Sequence, residues 1–310
     1  MNSAHGVVVV GSMTADVTAV SKKLPRSGET VLGTGFTLVS GGKGSNQAVM
    51  ASNMGVQTWM VGCVGDDPFQ HVILDSLRVH GVDTTFVDCL SGESTGVAHI
   101  RVDESGNNDI VIVPMANNRT NAEQVDAFFA HNPKANILLL QLEVPAATAL
   151  YAAKKAKALG IIVIFDPAPA IPFLDEMYRY VDIVTPNETE ATALTGIEVT
   201  DLQSAEAAAH VLQEKGVQTV IITMADKGIF VLEGQKPRHF PTYSVPAVDT
   251  TAAGDAFTGT LGACLATGTS LEQALQYAMA AGALTVTKLG AQSSLPTKEA
   301  VEQLIHGGKQ

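Results

Sequence analysis

Short apolar runs alternate with amphipathic stretches along most of the chain's 310 residues. Gly6–Val10, 58–62, 137–142, 161–165, 183–185 and 220–223 have the length and apolar character of buried strands. Residues 48–54, 69–79, 146–159, 205–215 and 271–284 fall between or after them with helical spacing. This alternation predicts an α/β fold, a mainly parallel central sheet flanked by helices on both faces. Ligands on such sheets bind outside the carboxyl ends of the strands. Two stretches, 30–38 and 95–113, lack helical periodicity. The second has two strand-like arms, 95–102 and 109–113, joined by Glu104-Ser105-Gly106-Asn107-Asn108, and reads as a hairpin. Exposed strands with apolar faces call for a covering partner.

Composition narrows the function classes. Hydrophobic residues make up 46% and charged residues 16%, which suits a large core and argues against disorder. A net charge of −12 disfavours nucleic acid or an anionic membrane surface as the main partner. It leaves nucleotides open, because backbone N–H groups and a metal ion hold phosphates in acidic proteins. Cys63, Cys89 and Cys264 are widely spaced, so neither a disulfide framework nor a zinc site is expected. The histidines show no metal-ligand spacing. No leader pattern precedes Gly6 and no run reaches membrane-spanning length, so a cytoplasmic location is expected. The length accommodates one large domain or one domain with a small appendage, and no internal repeat appears.

The richest segment is Asp249-Thr250-Thr251-Ala252-Ala253-Gly254-Asp255-Ala256-Phe257. Residues 256–265 are almost wholly small or apolar, as a core helix requires, and 243–248 have strand composition. Residues 252–255 would then present free N–H groups at a positive helix terminus, an anion-binding arrangement. A carboxylate beside a phosphate suits a general base that takes a proton from an attacking hydroxyl. It equally suits a capping acid, and the segment by itself admits both. Far upstream, Gly41-Gly42-Lys43-Gly44-Ser45-Asn46-Gln47-Ala48 is a glycine-rich turn running into an apolar helix. Its spacing fits neither a Walker A loop nor a dinucleotide fingerprint. Asn46 both donates and accepts hydrogen bonds, which suits a polyol.

Together these two segments resemble the two signatures of the ribokinase-like (PfkB) family of carbohydrate kinases. Between them, Pro186-Asn187-Glu188-Thr189-Glu190 is similar to the family's Asn-x-x-Glu element, and Thr223-Met224-Ala225-Asp226-Lys227-Gly228 to its nucleotide-contacting loop. The resemblance spans essentially the whole chain. It is greatest to the ribose-phosphorylating branch, through Gly28-Glu29-Thr30, residues 92–98, Gln141-Leu142-Glu143 and residues 290–294. Thr260, at the last position of the second signature, departs from the pattern.

The resemblance implies a single Rossmann-like domain over 1–310, with a small β-sheet lid from about 30–38 and 95–113 that pairs with a second lid in a homodimer. It implies ATP-dependent phosphorylation of the 5-hydroxyl of a pentose, D-ribose before 2-deoxyribose or another furanose or nucleoside. A silent sugar-binding regulator is the rival from another class, since fold alone does not license function. Asp255 is then the base, with Ala252, Ala253 and Gly254 as the anion hole. Thr14, Asp16, Gly42, Lys43, Gly44, Asn46 and Glu143 are the implied sugar site, and Ala98, Ile100 and Ile110 its lid contacts. Thr14 stands where ribose kinases usually carry Asn. Asn187 and Glu190 would orient Mg2+ and phosphates through water, while Thr223, Ala225, Lys227, Gly228, Gly254 and Met279 would contact the nucleotide. Asp249, Thr251, Thr285, Lys288, Gly290 and Ser294 match an activating K+ site, Lys288 through its carbonyl.

Overall fold

The computed structural model of the protein describes residues 5–131, 134–171 and 175–307. Its strands, in chain order, are β1 (Gly6–Val10), β2 (Thr14–Ser21), β3 (Gly33–Gly41), β4 (Gln57–Gly65), β5 (Asp83–Leu90), β6 (Val97–Asp103) and β7 (Asn108–Val113). They continue with β8 (Ala135–Leu140), β9 (Ile162–Phe165), β10 (Ile183–Val184), β11 (Thr219–Thr223), β12 (Ile229–Glu233) and β13 (Lys236–Phe240). The α-helices are α1 (Lys43–Asn53), α2 (Phe69–Val79), α3 (Ala122–His131), α4 (Ala146–Ala158) and α5 (Glu188–Thr195). After them come α6 (Leu202–Glu214), α7 (Ala253–Ala266), α8 (Leu271–Thr285) and α9 (Lys298–Gly307).

Nine strands form the main sheet in the order β13-β12-β11-β10-β9-β8-β1-β4-β5. From β11 to β5 every pair is parallel, while β12 and β13 add an antiparallel edge. The continuous apolar runs arise because helices cover both faces. Successive residues of β1 point to opposite sides: Val7 and Val9 join a core with Val49 and Leu261, Val8 and Val10 one with Phe128 and Ala153. The expected α/β architecture is therefore present. A second sheet, in the order β3-β2-β6-β7, stands apart from it, with β2 and β6 parallel and the outer pairs antiparallel.

Several elements differ from the pattern reading. β2, β5 and β13 carry polar, half-exposed positions that hide them from a search for apolar runs, whereas β12 is a buried apolar run that the reading passed over. α1 starts at Lys43 rather than 48, because its first turn holds glycine and polar residues, while α7 starts at Ala253, within the expected terminus at 252–255. Residues 243–248 form no strand. Pro246 has no N–H for a ladder, and the segment instead lines a cavity described below. The expectation of no leader falls partly on residues 1–4, outside the described residues. Among the described residues, no helix is long and apolar enough to cross a membrane.

Candidate active site

Glycine governs how closely the elements around the site approach. A Cβ on Gly44 would lie 2.6 Å from the Ser12 nitrogen, so only glycine lets α1 begin against the end of β1. On Gly259 it would lie 2.6 Å from the Gln47 carbonyl oxygen, so α7 packs directly on α1. Asp255, in the first turn of α7, thereby meets the first turns of α1. Asn46 Nδ2 donates to Asp255 Oδ2 at 2.8 Å, and Gln47 Nε2 to Asp255 Oδ1 at 3.2 Å. Asn46 Oδ1 is buried and, among the described residues, has no hydrogen-bond partner.

Asp255, Asp166, Glu143 and Glu190 lie near half-buried Lys43, and Asp16 lies near Glu143 and Asp255. Asp16 lies on β2, not on a loop, and its Oδ1 accepts the Thr14 hydroxyl at 2.7 Å. Glu143 Oε2 accepts the Ser12 hydroxyl at 2.5 Å and the Lys43 N–H at 3.1 Å. Asp166 Oδ2 accepts from Gln47 Nε2 at 2.8 Å. Burial pushes Asp16 up to about 6, against the Thr14 hydrogen bond and helped by the charges of Glu143 and Asp255. Burial also pushes Asp166 well above the usual carboxylate range, opposed by Lys43 and reinforced by Glu190, Asp255 and Glu143. Asp255 is raised by burial, against Lys43 and the hydrogen bonds from Asn46 and Gln47. Burial works against the charge on Lys43, yet Asp255, Asp166, Glu143 and Glu190 hold it above the usual lysine range.

On the other side of Asp255 lies a cavity of about 970 Å³. Asn187, Thr223, Ala225, Gly228, Ala253, Gly254 and Met279 line it; Glu190 and Lys227 are not among its lining residues. The turn into α7 places Ala252 at φ 61°, a strained value for a residue with a Cβ. The Ala253 N–H reaches the Thr250 carbonyl at 3.3 Å, and the Ala256 N–H closes the first helical turn onto Ala252 at 2.8 Å. Asn187 and Glu190 cap α5 reciprocally: each side chain accepts the other's backbone N–H, at 2.8 and 2.9 Å. Lys227 pairs with Glu188 at 3.2 Å and donates to the Thr200 carbonyl at 2.8 Å.

Behind the turn, Asp249 Oδ1 accepts the Thr251 N–H and hydroxyl at 2.9 and 2.6 Å, and its Oδ2 the Gly290 N–H at 2.9 Å. Burial alone would raise this carboxyl; these hydrogen bonds hold it below the usual range. Thr285 and Ser294 are buried, their hydroxyls donating to Ala281 and Ala291 carbonyls. The Lys288 residue is exposed. On the small sheet, Asp16 is in register with Ala98, and Ile100 with Ile110, so all four side chains share one face. Ala98 is buried and Ile110 is 47% exposed.

Residues 4–298 match the pfkB family of carbohydrate kinases. The chain belongs to that family. A ribokinase of Haemophilus influenzae is 41% identical over 97% of this chain and 98% of its own. A deoxyribokinase of Salmonella typhi is 36% identical over 96% and 98%. The solved structure of Arabidopsis thaliana ribokinase, complexed with ribose and ATP, superposes with a TM-score of 0.89 at 32% identity, covering 97% of this chain and 98% of that one.

Four residues at this pfkB-family site escaped the sequence reading as members of it: Ser12, Gln47, Gln141 and Asp166. Gln47 and Gln141 lay inside motifs already singled out, but nothing local marked their side chains as inward-facing. Asp166 had a usable signal, a lone acid at the carboxyl end of a buried strand.

Proposed function

We propose that the protein transfers the γ-phosphoryl group of ATP to the 5-hydroxyl of a pentose, D-ribose in first place. The observation that carries this reading is the position of Asp255. Its carboxylate lies in the first turn of α7, between the cavity lined by Ala253 and Gly254 and the polar shell containing Asn46. Asp255 takes the proton of the attacking hydroxyl as its oxygen bonds to phosphorus, and the bond to the departing ADP oxygen breaks. The Ala253 N–H is held by the Thr250 carbonyl, so the Gly254 N–H, without a partner within the helix, is the amide left for the developing phosphoryl charge. An elevated Asp255 makes a stronger base near neutrality, provided it stays ionised. Asp16 accepts two sugar hydroxyls, and the free Asn46 Oδ1 accepts another. Thr14, Gly42, Lys43, Gly44 and Glu143 complete this side, with Ala98, Ile100 and Ile110 covering it as part of a lid.

A nucleotide fits the cavity against Thr223, Ala225, Gly228 and Met279, with Lys227 at its edge. The carboxylate of Glu190 is engaged in capping, so Asn187 and Glu190 would hold Mg2+ through water, and the ion would neutralise phosphate charge there. Asp249 has three of its roughly four acceptor positions filled. One remains for K+, beside the hydroxyls of Thr251, Thr285 and Ser294 and the carbonyls of Lys288 and Gly290. Exchange of K+ for Na+ at constant ionic strength should slow turnover; equal rates remove this site. A cytoplasmic homodimer through the small sheet completes the reading, since Leu32, Phe36 and Val111 are 90%, 67% and 61% exposed. A monomeric mass in solution at micromolar concentration would sink the dimer.

A second acceptor, 2-deoxyribose, is favoured by one observation: the Thr14 hydroxyl is already given to Asp16. A deoxyribokinase among the relatives supports it. The test of the whole reading is Asp255→Asn assayed with ATP, magnesium and a panel of sugars. Turnover should fall by about 10²–10⁴ with binding retained. Near wild-type turnover in that variant would remove Asp255 as the base.

A further inference from the structure

Gln47 and Gln141 are fully buried, and neither belongs to the sugar or nucleotide contacts proposed above. Gln47 uses its whole amide. One N–H goes to Asp166 at 2.8 Å and the other to Asp255 at 3.2 Å, while Oε1 accepts from Gln141 Nε2. The opposite amide orientation would turn Oε1 toward two carboxyls and an N–H₂ toward a donor, so only this one is satisfied. Glycine at position 11 makes room for Gln141, since a Cβ there would lie 2.2 Å from its Oε1, a buried oxygen with no hydrogen-bond partner among the described residues. A chain of two amides therefore runs from the end of β8 through α1 to the first turn of α7.

We propose that Gln47 is a positioning residue for Asp255, holding the carboxylate in its reactive orientation, and that Gln141 locks the Gln47 amide so that it can only donate to that carboxylate. This rests on Asp255 acting as the base. Asn46 fixes the other oxygen, Oδ2, from the sugar side, where an incoming hydroxyl competes for the same groups. Gln47 is out of that competition, so its hold on Oδ1 persists while substrate binds. Asp166 shares the amide and, like Asp255, is raised by burial. The charged groups around Asp255 are Lys43 on α1, Glu143 after β8, Asp166 after β9 and Asp16 on β2; Glu190 on α5 acts on Lys43 and Asp166.

The sign of the effect on pH dependence follows. The Gln47 N–H favours the ionised form of Asp255, so its loss raises the pH at which the base is half-ionised. Gln47→Met and Gln141→Met keep the volume and remove the donors. The readout is the single-turnover rate of phosphoryl transfer against pH with saturating ribose and ATP, beside the sugar Kd and Tm. In Gln47→Met the rate should fall about tenfold, and the acidic limb should move up by about one pH unit, with Kd little changed. Gln141→Met should move both in the same direction by less. A folded Gln47→Met with an unmoved limb and a rate within twofold of wild type overturns the proposal. If Gln47→Met does not fold, the limb in Gln141→Met decides in the same way; if neither folds, the pair serves packing and the proposal is withdrawn. Asp255→Asn separates the two readings. If it retains turnover the base assignment fails, whereas a dead Asp255→Asn beside an unmoved Gln47→Met limb defeats only the positioning role.

Discussion

On the side of Asp255 that faces α1, the groups offered to a ligand are side chains, buried and held by hydrogen bonds to one another. On the side that faces the cavity, small and apolar residues such as Ala253, Gly254, Phe257 and Met279 border open space together with polar ones such as Asn187, Thr223 and Thr250. Gly41 and Gly254 show the difference. A Cβ on Gly41 would lie 2.0 Å from Asp16 Oδ2, while one on Gly254 would meet nothing within 4 Å. A prearranged polar shell selects by which hydroxyls it satisfies, because any group left unpaired there carries a desolvation cost. An open cavity bordered by a helix N-terminus selects phosphate charge and a flat apolar body, and tolerates change.

Paired substitutions sharpen this contrast most. Gly41→Ala should displace the Asp16 carboxylate and weaken ribose binding by about 10²-fold, the loss of two hydrogen bonds to a charged group. ATP affinity should hardly move. Met279→Ala on the cavity side should weaken ATP binding only a few-fold, because truncating one partly compressible apolar contact costs little in an open wall. Calorimetric titration of each variant with each ligand checks both. If the two variants lose their ligands equally, the two sides are not built on different principles.

A smaller effect comes from pH. Asp16 accepts sugar hydroxyls best when ionised, and burial has pushed its carboxyl up to about 6. Its group is raised, so the ionised form is lost as pH falls through that value, well above where an exposed aspartate titrates. Ribose Kd should rise about tenfold between pH 7.5 and pH 5. A ribose Kd that is flat over this range would mean that Asp16 does not bind through its ionised form.

How much of this was legible depended on where the information sits. The parallel sheet was, because strands covered on both faces are written as unbroken apolar runs, as in β1 and β8. The polar, half-exposed β5 and β13 were not, since an edge strand needs few apolar residues. The glycines of 41–44 and 252–255 could be located from local spacing. Their reasons could not, because the atoms that forbid a Cβ at Gly44 and Gly259 belong to Ser12 and Gln47, remote in the chain. Gln141 was missed for the same cause, since its partner Gln47 is brought to it by the packing of α1 against β8, whereas the signal at Asp166 was present and passed over. The misreading of 243–248 as a strand came from composition without attention to Pro246.

Thr14 gives the finest probe of the polar side. Its hydroxyl hydrogen goes to Asp16 Oδ1 at 2.7 Å, so what it can offer a sugar is acceptance only. An asparagine in its place would carry two N–H donors and a carbonyl, enough to keep a bond to Asp16 and still address a sugar hydroxyl. A site that hydrogen-bonds a hydroxyl discriminates against the analogue lacking it. Thr14→Asn should therefore raise the ratio of kcat/KM for ribose over 2-deoxyribose. One net hydrogen bond is worth about 0.5–1.5 kcal/mol, so the gain should be several-fold and appear mostly in KM. Met279→Ala should leave the ratio untouched, because the cavity side does not meet the sugar. If Thr14→Asn leaves the ratio unchanged or lowers it, the 2-hydroxyl is read by Asp16 and Asn46 instead.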